Sequence, residues 1–181
     1  MRLRTATETD AQGVLAIYAP IVRETAISFE WEAPDAAEMQ RRIRTIGAEY
    51  PWIVAEAAGE ILGYAYAYPW RARAAYRWIA ETAIYVAPSA RRRGVARAVY
   101  TELLARMRRF GYRGAIGGIA LPNPASIALH EELGFRHVAH FPNAGFKFDR
   151  WHDLGFWRLD LEPWPGAPAP PILPALPTKE P

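Results

Sequence analysis

The pattern of strands and helices changes at Pro88. Upstream, the apolar runs Trp52–Glu56 and Ile61–Tyr68 flank the turn residues Ala58-Gly59, which is typical of an antiparallel hairpin. Downstream, strand patterns alternate with helix patterns, which is typical of crossover connections between strands. The chain is therefore expected to form an α/β fold of the α+β type, with a mixed, mostly antiparallel central sheet flanked by helices.

Hydrophobic periodicity gives approximate bounds for these elements. Apolar residues at helical spacing predict helices, and short apolar runs beside turn residues predict strands. The predicted helices are 11–24, 35–47, 95–110 and 123–133. The predicted strands are 3–6, 52–56, 61–68, 78–86, 115–120, 135–141 and 155–161.

Length and composition predict a single folded domain. The chain has 181 residues, of which 51% are hydrophobic, and this is enough apolar surface for one core. Eight prolines fall between residues 163 and 181, a density that allows neither a helix nor a central strand. We therefore expect a domain over 1–162 and an extended proline-rich tail over 163–181. Without a leader pattern or an apolar run of bilayer length, the expected compartment is the cytoplasm.

Missing or sparse residue types exclude several chemistries. The chain has no Cys, so disulfides, thiolate metal sites and a Cys nucleophile are excluded. His137, His140 and His152 have no carboxylate at ligand spacing, so no metal site is predicted. The net charge is only +3 with acidic residues interleaved, which argues against nucleic acid as a partner. All but two of the 22 basic residues are Arg, which is compatible with an anionic ligand and equally with codon bias.

The segment after the strand 78–86 carries the most chemical information. The basic turn Arg91-Arg92-Arg93-Gly94 leads directly into a helix, whose first backbone N–H groups have no partner within the helix. Such a helix start binds phosphate groups, and the small residues Gly94 and Ala96 allow them to come close. Neither a dinucleotide-binding nor a nucleotide-triphosphate glycine motif is present. The turn therefore indicates another phosphate-bearing cofactor, or else an ordinary solvated cluster of arginines.

The chain resembles a known family at this turn and beyond it. Arg91-x-x-Gly94-x-Ala96 is similar to the pyrophosphate loop of the GNAT superfamily of acetyl-CoA-dependent N-acetyltransferases, and the order of elements is similar to the GNAT fold. Further segments resemble the phosphinothricin N-acetyltransferase family within it, from Arg2 to about Leu161. These segments are Tyr50–Glu56, Ala65–Ala67, Pro69–Arg73, Leu121–Asn123, His130–Phe135, Ala144–Lys147 and Trp151–Trp157.

The resemblance implies roles for three proton-transfer residues. Glu81 matches the proposed general base, or is a rim carboxylate paired with one of the arginines. His130 matches a second catalytic residue, acting as base or proton relay, whereas a lone His on a helix is more often packed or capping. Tyr100 matches the tyrosine that protonates the departing thiolate, or is an ordinary packing residue.

The resemblance also implies two binding regions. The acetyl-CoA region includes Asn123, which is equally a helix N-cap. Its residues are Ile84, Tyr85, Val86, Arg91, Arg92, Arg93, Gly94, Val95, Ala96, Arg97 and Asn123. The acceptor region, where two guanidinium groups and a phenol suit an anionic amino acid, consists of Phe29, Arg71, Arg73 and Tyr76. Arg71 and Arg73 are otherwise scattered surface charges.

The expected function is direct transfer of acetyl from acetyl-CoA to the α-amine of phosphinothricin or a similar small amino acid, in a homodimer. Arg71 replaces the family's Lys and Arg97 replaces a small hydroxyl residue, so the substrate could differ in detail. Methionine sulfone, methionine sulfoximine, a polyamine and a protein N-terminus stay open as acceptors. An acyl-CoA-binding module without turnover is the alternative from another class.

Overall fold

The protein folds around a seven-stranded sheet, seen in a computed structural model that describes residues 1–164 and 166–172. The strands are β1 (Arg2–Thr5), β2 (Trp52–Ala57), β3 (Glu60–Pro69), β4 (Ile79–Val86), β5 (Gly114–Leu121), β6 (Arg136–Lys147) and β7 (Arg150–Asp160). Their order across the sheet is β1-β2-β3-β4-β5-β7-β6. β4 and β5 run parallel, and every other neighbouring pair is antiparallel. The predicted mixed, mostly antiparallel sheet is confirmed.

Helices cover both faces of this sheet. They are α1 (Ala11–Glu24), α2 (Ala36–Gly47), α3 (Val95–Arg109) and α4 (Pro124–Glu132), joined by short 3-10 turns at Glu8–Asp10, Ala74–Tyr76 and Pro88–Ala90. On one face, α1 and α2 bury Val14 and Met39 against Tyr64. On the other face, α3 buries Val99 and Leu103 in a larger core. Each such side chain contributes about 1.5–3 kcal/mol through removal from water.

The last two strands are longer than predicted. The sequence suggested strands at 135–141 and 155–161, whereas β6 and β7 form one hairpin that spans residues 136 to 160. Proline usually ends a strand, but a register shift between Phe141 and Gly145 accommodates Pro142 within β6. The turn residues Phe148 and Asp149 both have positive φ, which matches the twist of a tight hairpin.

The described part of the proline-rich segment contacts the core. The indole N–H of Trp78 donates to the carbonyl of Ala169 at 2.8 Å, and the backbone N–H of Ile172 donates to the carbonyl of Phe110 at 2.7 Å. The rest of the predicted tail, Pro165 and residues 173–181, lies outside the described residues. The division into a domain and a tail at residue 162 stays a prediction.

Candidate active site

The two parallel strands separate at the centre of the sheet. β4 and β5 pair only from Ile79, opposite Gly114, to Thr82, opposite Gly117. Beyond that point β4 follows β3 and β5 follows β7. The cleft between them has a volume of about 480 Å³ and is lined by residues of both strands, including Ile84 and Tyr85. The backbone edge of β4 after Thr82 is therefore not paired with β5 and can pair with an extended ligand.

The start of α3 is open to an anion. Gly94 precedes the helix with φ +77°, and no side chain caps the helix there. A Cβ built on Gly94 would meet nothing within 4 Å. The first helical hydrogen bond runs from the N–H of Ala98 to the carbonyl of Gly94, so the N–H groups of Val95, Ala96 and Arg97 are not used by the helix. These N–H groups can hold phosphate oxygens.

The side chains of this region divide into exposed and engaged ones. Arg91, Arg92 and Arg93 are exposed, whereas the side chain of Val95 is buried in the core. The guanidinium of Arg97 is exposed and forms an ion pair with Glu132 of α4.

Asn123 is the N-cap of α4, and its predicted contact with the cofactor stays a prediction. Its side-chain oxygen accepts a hydrogen bond from the backbone N–H of Ser126 at 3.2 Å, which caps α4. The same residue lines the cleft.

A chain of three buried polar groups borders the cleft on the α3 and α4 side. The hydroxyl of Tyr100 lies 2.7 Å from the Thr82 hydroxyl and 3.0 Å from Nε2 of His130. Nδ1 of His130 lies 2.8 Å from the carbonyl of Ser126. Because a carbonyl only accepts, Nδ1 carries the proton and Nε2 accepts from Tyr100. Burial lowers the pKa of His130, which favours this neutral imidazole, although the bond to Ser126 partly offsets the shift.

Tyr100 is the middle of this chain and not its exposed end. Its side chain is fully buried, and burial raises its pKa above the usual value for a phenol. Thr82 and His130, on either side of it, both line the cleft. Any proton that Tyr100 exchanges with a ligand in the cleft would therefore pass through one of these two neighbours.

Glu81 lies on the opposite face of the sheet. It is adjacent to Thr82 on β4, so the two side chains point to opposite faces. Tyr68 of β3 stands opposite Glu81 in the register. Burial raises the pKa of Glu81 above its ordinary value, while hydrogen bonding with Tyr68 and the charge of Arg71 partly offset the rise. A carboxylate with a raised pKa suits a general base.

Two consecutive glycines of β5 make room for these groups. A Cβ on Gly117 would lie 2.4 Å from Nε2 of His130. A Cβ on Gly118 would lie 2.9 Å from Oε1 of Glu81. The absent side chains therefore let one proton-transfer group approach the strand from each face.

The connection between α1 and α2 forms the remaining wall of the cleft. Ser28, Phe29 and Glu30 line it. The phenol of Tyr18 hydrogen-bonds both the Ser28 hydroxyl and the Glu30 carboxylate, each at 2.8 Å. Burial raises the pKa of Tyr18 to about 12, so this phenol stays protonated at neutral pH.

The arginines predicted to bind the acceptor lie apart from the cleft lining. Among the described residues that line the cleft, none is an arginine. Arg71 and Arg73 are exposed and border a second hollow of about 470 Å³, together with Arg77. Tyr76 packs edge-on against Trp70. Of these residues, Arg71 is close enough to lower the pKa of Glu81.

Several residues around the cleft were not singled out from the sequence. Thr82, Tyr68 and Tyr18 looked like ordinary strand or helix residues, because their roles arise only from contacts across elements. Gly117-Gly118 did carry a signal, since glycine inside a strand often marks a close approach of another group.

Two negative findings concern the described residues. Within 1–164 and 166–172, no helix combines the length and the hydropathy that a membrane span requires. Over the same residues, no three His, Cys, Asp or Glu side chains group as metal ligands would.

A helix start with unused N–H groups, a buried histidine that lines the cleft and a half-buried carboxylate beside the cleft residues Tyr68 and Gly118 are together typical of a group-transfer enzyme whose donor carries phosphate. The comparison with known proteins gives its family. The acetyltransferase (GNAT) domain family matches residues 3–155. The chain belongs to the GNAT acetyltransferase family, which confirms the resemblance and the enzyme class predicted from the sequence.

Individual relatives agree with this assignment over nearly the whole chain. Phosphinothricin N-acetyltransferase of Streptomyces viridochromogenes is 36% identical over 95% of this chain and 94% of its own length. L-methionine sulfoximine/L-methionine sulfone acetyltransferase of Pseudomonas aeruginosa is 37% identical over 92% of this chain and 98% of its own. A crystal structure of a phosphinothricin acetyltransferase from Sinorhizobium meliloti in complex with acetyl-CoA has a TM-score of 0.84 and 38% identity, covering 88% of this chain and 87% of that one.

Proposed function

We propose that this protein transfers the acetyl group of acetyl-CoA to the α-amine of phosphinothricin or a similar small amino acid, with methionine sulfone or sulfoximine as the alternative acceptors. The observation that carries the proposal is the arrangement around β4: the half-buried carboxylate of Glu81 lies on one face of the sheet, beside the cleft residues Tyr68 and Gly118, and the unused N–H groups at the start of α3 lie on the other. Relatives that act on these amino acids match along the whole folded part of the chain.

The two faces of the sheet suggest where each substrate binds. The N–H groups at the start of α3 would hold the pyrophosphate of acetyl-CoA, and the free edge of Ala83–Val86 would bind its amide-bearing arm. The connection that carries Phe29 would face the acceptor. The thioester would then lie between the separated strands, with Glu81 on the acceptor side.

The chain's own residues supply the proton transfers that acetylation needs. Acetyl-CoA supplies an activated acetyl thioester. As the acceptor nitrogen forms its bond to the carbonyl carbon and the carbon–sulfur bond breaks, the carboxylate of Glu81 takes the proton of the nitrogen. The departing sulfur takes the proton of the Thr82 hydroxyl, Tyr100 reprotonates Thr82, and the chain regains a proton from solvent as Glu81 releases to solvent the one it accepted. The products are an amide and the free thiol, with no acyl-enzyme.

The direct test is a panel of free amino acids and analogues, each incubated with acetyl-CoA while thiol release is followed. We expect phosphinothricin, methionine sulfone or methionine sulfoximine to be acetylated fastest. Faster turnover of a polyamine or of a protein N-terminus would contradict the acceptor class. If none of these acceptors causes thiol release, the result would favour a module that binds acyl-CoA without turnover.

Gly94 provides a test of the phosphate site. Gly94→Val places a branched side chain where phosphates must approach, so we expect acetyl-CoA affinity to fall by about 10-fold or more. Gly59→Val is the matched control, because Gly59 also has positive φ (+80° against +77°) and open surroundings but lies in the β2–β3 turn. Both variants should lose about 1–2 kcal/mol of stability through backbone strain. Calorimetry that finds unchanged CoA affinity in folded Gly94→Val would overturn the phosphate assignment.

Arg71 and Arg73 test the acceptor site. If they bind the anionic ends of the acceptor, each change to Ala removes an interaction worth about 1.5–3 kcal/mol, or roughly 10- to 150-fold in affinity. The loss should appear in the KM of the acceptor and not in that of acetyl-CoA. Arg77→Ala, in the same hollow, is the control. Esterifying the acceptor's carboxylate should raise the acceptor KM of the wild-type enzyme far more than that of the Arg71 variant. An equal rise in both proteins would show that these arginines are surface charges.

We also propose that the protein forms a homodimer and acts in the cytoplasm. β6 is an edge strand, and it exposes Val138, Phe141 and Phe146, beside Trp151 of β7. An exposed apolar patch on an edge strand is typical of an interaction surface. Sedimentation of the purified protein measures whether it is a dimer, and a monomer would contradict this proposal.

A further inference from the structure

Lys147 is a buried lysine that the proposed reaction does not use. It is the last residue of β6 and is 4% exposed. Its ammonium donates to the carbonyls of Val22, Thr25 and Ser28 at 2.6, 3.0 and 2.8 Å. An ammonium has three N–H donors, so all of them are used.

The three carbonyls belong to the end of α1 and to the segment that follows it. Val22 lies in the last turn of α1, where unpaired carbonyls carry partial negative charge. Thr25 and Ser28 lie beyond the helix, on the way to α2. Burial lowers the pKa of Lys147, and the nearby charge of Glu30 partly offsets this. One cation therefore joins the helix end to the wall of the cleft.

Phe29 is held between this cation and a second group of contacts. On one side, Lys147 binds the carbonyl of Ser28. On the other, Glu30 accepts hydrogen bonds from Tyr18 at 2.8 Å and from Arg42 at 2.7 Å. The residues immediately before and immediately after Phe29 are therefore both held by hydrogen bonds, one through its carbonyl and the other through its carboxylate.

The ring of Phe29 rests on the same strand that carries Lys147. A Cβ on Gly145 would lie 2.5 to 2.9 Å from three atoms of this ring. Gly145 and Lys147 are two residues apart on β6, so they point to the same face. The strand therefore offers a flat surface for the ring and, beside it, a cation for the backbone.

We propose that Lys147 is a positioning residue that fixes Phe29 as the acceptor-side wall of the cleft, and that the missing side chain of Gly145 sets how deep the ring lies. The identity of the acceptor in this inference rests on the proposed function. The positioning of Phe29 by Lys147 rests on the contacts described above. Lys147 has no free donor and no access to the cleft, so it neither binds the acceptor nor transfers a proton to it.

The test compares Lys147→Met with Arg150→Met, which removes an exposed charge from the other side of the same hairpin turn. In Lys147→Met we expect the KM of the acceptor to rise about 10-fold or more, while the KM of acetyl-CoA stays within about two-fold. Hydrogen exchange at the amides of residues 26–31 should become faster without any substrate. Arg150→Met should change none of these quantities. An equal loss for both substrates, or unchanged exchange in 26–31, would overturn the proposal.

Gly145→Ala decides the matter if Lys147→Met does not fold. The added methyl group displaces the ring of Phe29 without removing a hydrogen bond, so we expect a raised acceptor KM with acetyl-CoA unaffected. Unchanged kinetics in this variant would overturn the role of Gly145 and of the ring. A failure of the proposed function would give a different result. The wild-type protein would then acetylate no acceptor in the panel, whereas hydrogen exchange would still test whether Lys147 positions Phe29.

Discussion

Glu81→Gln should reduce turnover by roughly 10²-fold or more, with acetyl-CoA affinity little changed. The amide has nearly the shape of the carboxylate, so the neighbouring Tyr68 and Gly118 need not move. What it cannot do is accept the proton of the attacking nitrogen. Single-turnover kinetics together with the affinity for acetyl-CoA measure the two quantities separately.

The pH dependence of the same variant provides a second measurement. Because the base acts as the carboxylate, wild-type kcat/KM should fall as the pH drops through the raised pKa of Glu81. Glu81→Gln should lack this decline, whereas the exposed Glu60→Gln should keep the wild-type profile. A rate within a few-fold of wild type would assign the base to His130 or to water.

The part of the site that could be predicted is the part encoded locally. The open helix start at α3 could be predicted because a strand end, Gly94 and a helix start follow one another along the chain. The helices were predicted within about two residues for the same reason, since their 3.6-residue periodicity is a local property. The β6–β7 hairpin was underestimated because Pro142 and Gly145 interrupt the alternation.

The relation between the two proton-transfer groups could not be read from the sequence. Glu81 and His130 lie on opposite faces of the sheet, and this follows from the parallel register of β4 and β5, which joins residues more than thirty positions apart. The same register places Gly117 opposite Thr82. Contacts of this kind depend on the tertiary structure, so neither composition nor spacing reveals them.

His130 illustrates how two interpretations of one residue can both describe it. The sequence allowed a packed histidine or a catalytic one. The ring is buried and packs against Tyr100 and Phe135, as the first interpretation requires. Its bond to Ser126 leaves Nε2 as an acceptor, as a proton relay requires. Local pattern could not separate these because the same packing produces both.

Tyr100→Phe should slow turnover by a comparable factor, roughly 10²-fold, if chemistry limits the rate. The change keeps the buried ring and removes only the hydroxyl that joins Thr82 to His130. In the resting state Tyr100 donates to Nε2 of His130, and the single proton of the Thr82 hydroxyl points to the carbonyl of Ile116 at 3.1 Å or to Tyr100. Delivery to the cleft requires the Thr82 hydroxyl to turn toward the ligand and Tyr100 to donate to Thr82, after which the phenol regains a proton by way of His130. Without the phenol, neither transfer has a path through this chain.

Comparison with two further variants shows whether the three groups act as one path. Thr82→Val should lose about as much as Tyr100→Phe, and the double variant should lose no more than either alone, because a broken path cannot be broken twice. Tyr112→Phe is the control, since Tyr112 is also buried and its hydroxyl bonds only the carbonyl of Glu49 among the described residues. Losses that multiply in the double variant would mean that Thr82 and Tyr100 act independently, and the proton would then reach the thiolate by another route.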